Sequence, residues 1–282
     1  MKWIKYTLVT ALVLLLLGGT ATYFKLKAIG IIPRADYDTV APPIPRFERP
    51  AILVLNKANG FIHVDALPAG DAMLRKIAEQ QGWDIYITDN AATHNKDDLQ
   101  RFKAIIWNNV SGDVLTQEQR VAFRGWLEQG GAWIGLHASG GDFSYKWDWY
   151  VNTLIGAQFV GHTMSPQFQS ADVLVSDSQQ SITAHLQSPW NVPNEEWYAF
   201  DRNPSDAGYE VLLTLDENSY ITRGKAFLGG QDSMEGEHPI TWRHTLGKGR
   251  VFYTAIGHQG ATYAIPEYQD LVTKGIQWAM GE

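Results

Sequence analysis

Cysteine is absent from this 282-residue chain. That absence excludes disulfides, thiolate metal sites and a cysteine nucleophile together. No cluster of Lys or Arg occurs either, and 23 basic residues against 30 acidic ones leave a formal net charge of -7. Phosphate binding needs a concentrated basic face, so nucleic acid is not an expected partner. Internal repeats are missing, and low complexity is confined to one proline-rich stretch. What the chain does have is apolar and aromatic material: 45% of residues are hydrophobic and 11 are tryptophan. Beyond the N-terminal region roughly 230 residues remain, enough for one large domain with a sizeable core.

Residues 1–27 read as a separate object. Thr7 to Phe24 is an uncharged, leucine-rich run of 18 residues, bracketed by Lys2 and Lys5 before it and Lys25 and Lys27 after it. Such a run sits near the lower limit for a spanning helix, where ~20 residues are typical. It is long for a cleaved signal peptide, and no clear A-x-A site follows. The sequence therefore predicts an uncleaved signal anchor, an N-terminal transmembrane helix tethering the protein to a membrane. The flanking lysines barely discriminate orientation; the expected placement of the C-terminal domain is periplasmic or extracellular. From 28 to 49 prolines recur (Pro33, Pro42, Pro43, Pro45), which predicts an extended linker ahead of a domain at 50–282.

Within that domain strands and helices alternate. Ala51 to Leu55 is a short apolar run, as in a strand buried on both faces. Helical patterning follows over about 68–81, then strands at 85–88 and 104–107. Thr116 is a candidate N-cap for a helix ending at Gly130-Gly131, and 132–136 reads as a fourth strand. The middle of the chain is less regular, with strand-like alternation at 168–175 and 209–215. Further strands read at 240–243 and 250–254, and a closing helix at 266–280. The alternation predicts an α/β fold built on a parallel sheet with right-handed crossovers.

Open parallel sheets bind ligands at the carboxyl ends of their strands. His63 lies a few residues after the first strand, Asn108 and Asn109 follow the third, His137 the fourth, and His258 the last. His137 sits in Gly135-Leu136-His137-Ala138-Ser139-Gly140-Gly141, a buried strand entering a tight glycine-rich turn. In α/β hydrolases and amidotransferases such an elbow lifts a nucleophile above the sheet; here it carries an imidazole. Glu195-Glu196-Trp197-Tyr198 forms a second cluster, in which a partly desolvated carboxylate suits acid–base use. His162 and His238 lie in loops outside regular elements. The aromatics at 147, 149 and 150 and at 197 and 198 suit either sugar-binding walls or a lid packed on itself.

Eight short stretches stand in order along the domain: Phe61-Ile-His63, Gly112-Asp-Val-Leu115, Gly135-Leu-His-Ala138, Gly156 to His162, Glu195-Glu-Trp-Tyr198, His238-Pro-Ile-Thr-Trp242, Gly249-Arg-Val-Phe-Tyr253 and Gly257-His258. On these motifs the region from 51 to 280 resembles the trehalose-utilisation (ThuA-like) family of the class I glutamine amidotransferase-like superfamily. The chain departs from the family's pattern at Glu195, where Asp is usual, and at His63-Val64-Asp65, where the family often has adjacent His-Asp. The resemblance implies a flavodoxin-like fold, a largely parallel sheet sandwiched by helices. It also implies a histidine-rich pocket holding His63, His137, His162, Glu196, His238 and His258, and a role in catabolism of trehalose or related disaccharides through keto-sugars. His137 would stand where the superfamily has its cysteine nucleophile, so amidotransfer is not expected.

The resulting expectation is a sugar-active hydrolase, lyase or isomerase using non-covalent acid–base catalysis. Its catalytic residues are His137, Glu196 and His258, and its substrate-binding residues His63, Asn109, His162, Trp197 and His238. No metal ligands are assigned, because no H-x-x-x-H or similar local pair exists. A divalent metal at the same site and a catalytically inactive sugar-binding module are the alternatives.

Overall fold

The computed structural model describes residues 2–176, 181–224, 230 and 232–282. The chain opens with helix α1 (Lys2–Ala28), then alternates β1 (Ala51–Leu55), α2 (Ala66–Gln81), β2 (Asp84–Thr88), the short α3 (Lys96–Leu99), β3 (Ala104–Asn108), α4 (Gln117–Glu128) and β4 (Ala132–Leu136). A strand-rich stretch follows: β5 (Phe159–Gly161), β6 (Gln169–Val175), β7 (Trp190–Glu195), β8 (Ala199–Phe200) and β9 (Glu210–Leu215). The chain closes with β10 (His238–Leu246), β11 (Gly249–Thr254) and α5 (Pro266–Met280).

Nine strands form one sheet in the order β2-β1-β3-β4-β11-β10-β9-β6-β7. The first five are mutually parallel, and β10, β9, β6 and β7 each pair antiparallel with their neighbours. The expectation of a largely parallel, flavodoxin-like sheet is thus corrected to a mixed one. The reason is connection length: parallel strands need a crossover of a dozen or more residues, usually a helix. Only two residues, Gly247 and Lys248, join β10 to β11, which enforces a hairpin, and among the described residues no α-helix separates β6, β7 and β9.

Local signals set the helix ends. Thr116 caps α4, its hydroxyl accepting from Gln119 N while the Gln119 side chain bonds back to Thr116 N, a reciprocal capping box. α2 stops at Gly82, which takes the left-handed conformation that bonds the last carbonyls. The register aligns the carboxyl ends of the parallel strands, with Leu55 beside Trp107, Asn108 beside Leu136 and Leu136 beside Thr254. Every loop after these strands therefore opens on the same edge of the sheet.

α1 is helical, but among the described residues no helix is long and apolar enough to cross a membrane. Past Leu17 the run changes to Gly18-Gly19-Thr20-Ala21-Thr22-Tyr23, whose small and hydroxylated residues dilute the hydropathy. Thr20 and Thr22 turn their hydroxyls onto the Leu16 and Gly18 carbonyls. The expected transmembrane signal anchor, with the membrane attachment and membrane-tethered placement drawn from it, does not hold.

The proline-rich segment lies against the domain. Asp38 pairs with Lys57 at 2.8 Å and accepts from Ala91 N, and Asn59 donates to the Asp36 carbonyl. Upstream of these contacts, Ile62 N donates to the Ile29 carbonyl, so Gly30 to Pro33 run beside the loop that follows β1.

Candidate active site

β4 ends in the elbow. Leu136 is still extended, and His137 turns the chain with φ of +44°, a left-handed conformation uncommon outside glycine. Three tyrosines fix the turn through its successive carbonyls: Tyr253 donates to His137 O at 2.8 Å, Tyr145 to Ala138 O at 2.9 Å, and Tyr150 to Ser139 O. Ser139 Oγ donates to Trp107 O of β3. The two glycines that follow leave room for rings, since a Cβ on Gly141 would lie 2.2 Å from the Tyr198 ring.

His137 is completely buried. Its Nδ1 lies 2.6 Å from the Ala255 carbonyl, to which it must donate, so Nε2 carries a lone pair. The Tyr198 hydroxyl donates to that Nε2 at 2.7 Å. Burial first, then the neighbouring His63 and His258, holds the His137 pKa well below the ordinary value. His63 is pushed down to about 3 by burial and by His258. Both rings are neutral at physiological pH. The three imidazoles of His63, His137 and His258 meet edge to face, with centroids 4.6–5.2 Å apart.

Glu196 lies beneath them, 2% exposed. Its Oε2 accepts from His258 Nδ1 at 2.9 Å, its Oε1 accepts from Gln167 Nε2 at 2.6 Å, and His162 Nδ1 is 3.3 Å away. Burial alone would raise its pKa. The bond to His258, the electrostatic influence of the His258 and His162 rings, and the Gln167 amide outweigh it, so the carboxyl stays below its ordinary value and ionised. Glu195, one residue earlier, lies on the other side of the chain and holds the His258 loop, accepting from Thr262 Oγ1 at 2.6 Å and from His258 N at 3.0 Å. Burial lifts it to about 7 against those hydrogen bonds.

A cavity of about 320 Å³ opens over this floor. His63, His162, Glu196, Tyr198 and His258 supply its polar side, and Phe61, Phe143 and Phe159 with Ile31 and Pro33 form apolar walls. A larger open groove of about 790 Å³ lies near Lys103 and Gly130, before β3 and β4 begin. It gathers no histidine and one carboxylate, Glu118, so the chemistry belongs to the smaller cavity.

Of the eight residues singled out from the sequence, five converge: His63, His137, His162, Glu196 and His258. The other three stand back from the cavity. Asn109, buried with φ of +54°, donates to Tyr263 Oη and Asn108 Oδ1. His238 donates to the Tyr198 carbonyl at 2.8 Å and holds that residue from behind. Trp197 is buried, donating to the Gln169 carbonyl with its ring beside Tyr220. Trp147, Trp149 and Tyr150 pack on one another and on Phe123. Three further residues belong to the site: Tyr198 and Glu195, which the sequence places in the 195–198 cluster without an assigned catalytic or binding role, and Gln167, which it does not mark. For Tyr198 the signal was available: in extended chain alternate residues share a face, so Tyr198 accompanies Glu196 and Trp197 accompanies Glu195.

These features define an α/β protein whose strand-end pocket joins imidazoles, those of His63 and His137 neutral, to a buried carboxylate beside an elbow occupied by a histidine. The chain belongs to the trehalose-utilisation (ThuA) family, whose family model matches residues 51–279. Its fold is similar to that of a ThuA-like protein from Bacteroides uniformis ATCC 8492, at 24% identity and TM-score 0.70 over 85% of this chain and 95% of that one. A ThuA-like protein from Parabacteroides merdae ATCC 43184 is similar at 18% identity and TM-score 0.60, over 82% and 90% of the two chains. A β-galactosidase from Bacillus circulans sp. alkalophilus matches at 12% identity and TM-score 0.52, over 84% of this chain and 32% of that one. These likenesses concern the fold. No curated protein sequence matches the chain.

Proposed function

We propose that the chain acts on a carbohydrate, trehalose or a related disaccharide or its keto derivative, by proton transfer without a covalent intermediate. The observation that carries this reading is the buried, ionised Glu196 held between His258, His162 and Gln167 on the cavity floor. A carboxylate so placed orients the His258 imidazole and shares its proton, the arrangement general acid–base chemistry needs. Glu196 and His258 are the proposed catalytic pair. His63, His162 and Tyr198 would contact sugar hydroxyls, and the phenylalanines would take its apolar faces. His137 acts through Tyr198 and is a positioning residue. The family's description as trehalose utilisation supports the substrate class.

The test is product analysis with the full chain on trehalose, related disaccharides and their keto derivatives, beside Glu196→Gln and His137→Ala. Turnover should fall about 10²–10⁴-fold in Glu196→Gln. Unchanged turnover in both variants would remove the reading. Sugar binding without conversion, indifferent to Glu196→Gln, would mark a binding module instead.

A further inference from the structure

His63 beyond β1, His137 beyond β4, Glu196 beyond β7 and His258 beyond β11 each bring one donor atom to a common point, all within 4.8 Å of one another. We propose that these four side chains bind one first-row divalent cation, with Zn²⁺ the ion their chemistry fits. The proposal rests on the reading of this pocket as a reaction site for its chemical purpose; with the ion bound, Glu196 and His258 serve as its ligands in place of the proton-sharing pair.

Distances are the first support. Donors around a tetrahedral Zn²⁺ with bonds of ~2.1 Å stand about 3.4 Å apart. His258 Nδ1 lies 2.9 Å from Glu196 Oε2 and 3.3 Å from His137 Nε2, and those two acceptors are 3.7 Å apart. Three of the four corners are already near the required spacing. The fourth, His63, lies within 4.8 Å of the others and must approach by up to about 1.4 Å.

The donors are also aimed and held. The Ala255 carbonyl takes His137 Nδ1–H and leaves the Nε2 lone pair forward. Gln167 occupies Glu196 Oε1 and leaves Oε2 to the cluster, and Glu195 grips the backbone of the His258 loop. Such outer partners are what fix the orientation of metal ligands. Among the side chains of the four donors, His63 Nδ1 is buried without a partner in hydrogen-bonding geometry.

Two hydrogens now fill the gap that a cation would fill. The His258 Nδ1 proton bridges toward Glu196 and His137, and the Tyr198 hydroxyl hydrogen points at His137 Nε2. On binding, the His258 ring takes the tautomer protonated at Nε2, which frees Nδ1 for the ion, and the hydroxyl gives up the lone pair. Because His63, Glu196 and His258 line the cavity, the ion would face an incoming sugar, where it could polarise a carbonyl or hydroxyl oxygen.

The test needs no substrate. The full chain is freed of metal by a chelator and titrated with Zn²⁺ alone by calorimetry, and the visible spectrum is recorded with Co²⁺. One equivalent of Zn²⁺ should bind, with affinity falling more than about 100-fold in His63→Ala and His258→Gln. His185→Ala, on a histidine outside the pocket, should leave it unchanged. Co²⁺ should give the intense absorption of a four-coordinate nitrogen and oxygen site, a readout on the unsubstituted chain that does not depend on any variant folding. No stoichiometric metal would overturn the proposal, and if Glu196→Gln still abolished sugar turnover the acid–base reading would stand without it. Stoichiometric metal with no sugar converted would uphold the site and remove the sugar assignment.

Discussion

Tyr198 donates its hydroxyl to His137 Nε2 at 2.7 Å, with the two rings stacked 4.3 Å apart. This pair joins the pocket wall to the elbow, and His238 secures it from behind through the Tyr198 carbonyl. Replacing Tyr198 by Phe keeps the stack and removes the donor. We expect a loss of about 1–2 kcal/mol in urea denaturation, the usual effect of one buried hydrogen bond. Zn²⁺ affinity should hold or rise, because a competitor for the Nε2 lone pair has gone. A fall in affinity would make the hydroxyl itself a ligand and contradict the four-donor set.

Glu195 titrates in the direction opposite to an ordinary salt-bridged carboxylate. Its folded pKa is raised to about 7 by burial, above the ordinary 4.5. The protonated form is favoured on folding, so its contribution is complete below pH 4.5 and is lost as pH rises through 7. Glu195→Gln removes that dependence. The stability of the unsubstituted chain minus that of the variant should therefore decline by up to about 1.4 kcal/mol per pH unit between 4.5 and 7, then level off. Denaturation midpoints across that range check it, and parallel profiles would refute it.

His94 predicts the reverse slope. It is fully buried in the core beside Phe123, and its Nε2 accepts from Trp107 Nε1 at 3.1 Å. Burial lowers its pKa to about 3 against an ordinary 6.5. Folding thus favours the neutral ring, and this stability is present above pH 6.5 and disappears as pH falls toward 3. His94→Gln can keep an acceptor for Trp107 while removing the titration. It should cost about 1–3 kcal/mol at neutral pH and flatten the acid limb of the stability profile relative to the unsubstituted chain.

Much of this was legible in the sequence wherever one local signal decided the outcome. The runs at 51–55 and 132–136 are the strands expected, Thr116 is the cap expected, and the helix over 266–280 matches α5. β7 was not foreseen: Asn191, Pro193 and Asn194 break its alternation, and Asn194 has φ of +49°. It holds its place by pairing with β6, a partner that local patterning does not name. The antiparallel half of the sheet was hidden for the same reason. For the site, strand ends pointed to His63, His137 and His258. A divalent metal there was legible only as an alternative, because the four candidate donors come from stretches over 50 residues apart and share no local spacing.

Gly141 offers a test of how the elbow serves the pocket. Its φ of -104° suits any residue, so alanine there adds no backbone strain. The added Cβ would, however, fall 2.2 Å from the Tyr198 ring. That ring is buried among Phe159 and His137 and cannot move freely. Gly141→Ala should cost about 1–3 kcal/mol, as overpacking does, and reduce Zn²⁺ affinity by shifting the histidine that Tyr198 stacks on. In a Tyr198→Ala background the three nearest contacts of that Cβ are gone, and the same substitution should cost far less. A double-mutant cycle would then return a coupling energy nearly equal to the single-variant loss. Additive costs would mean that the glycine is needed for another contact, and that the elbow and the pocket wall are not one mechanical unit.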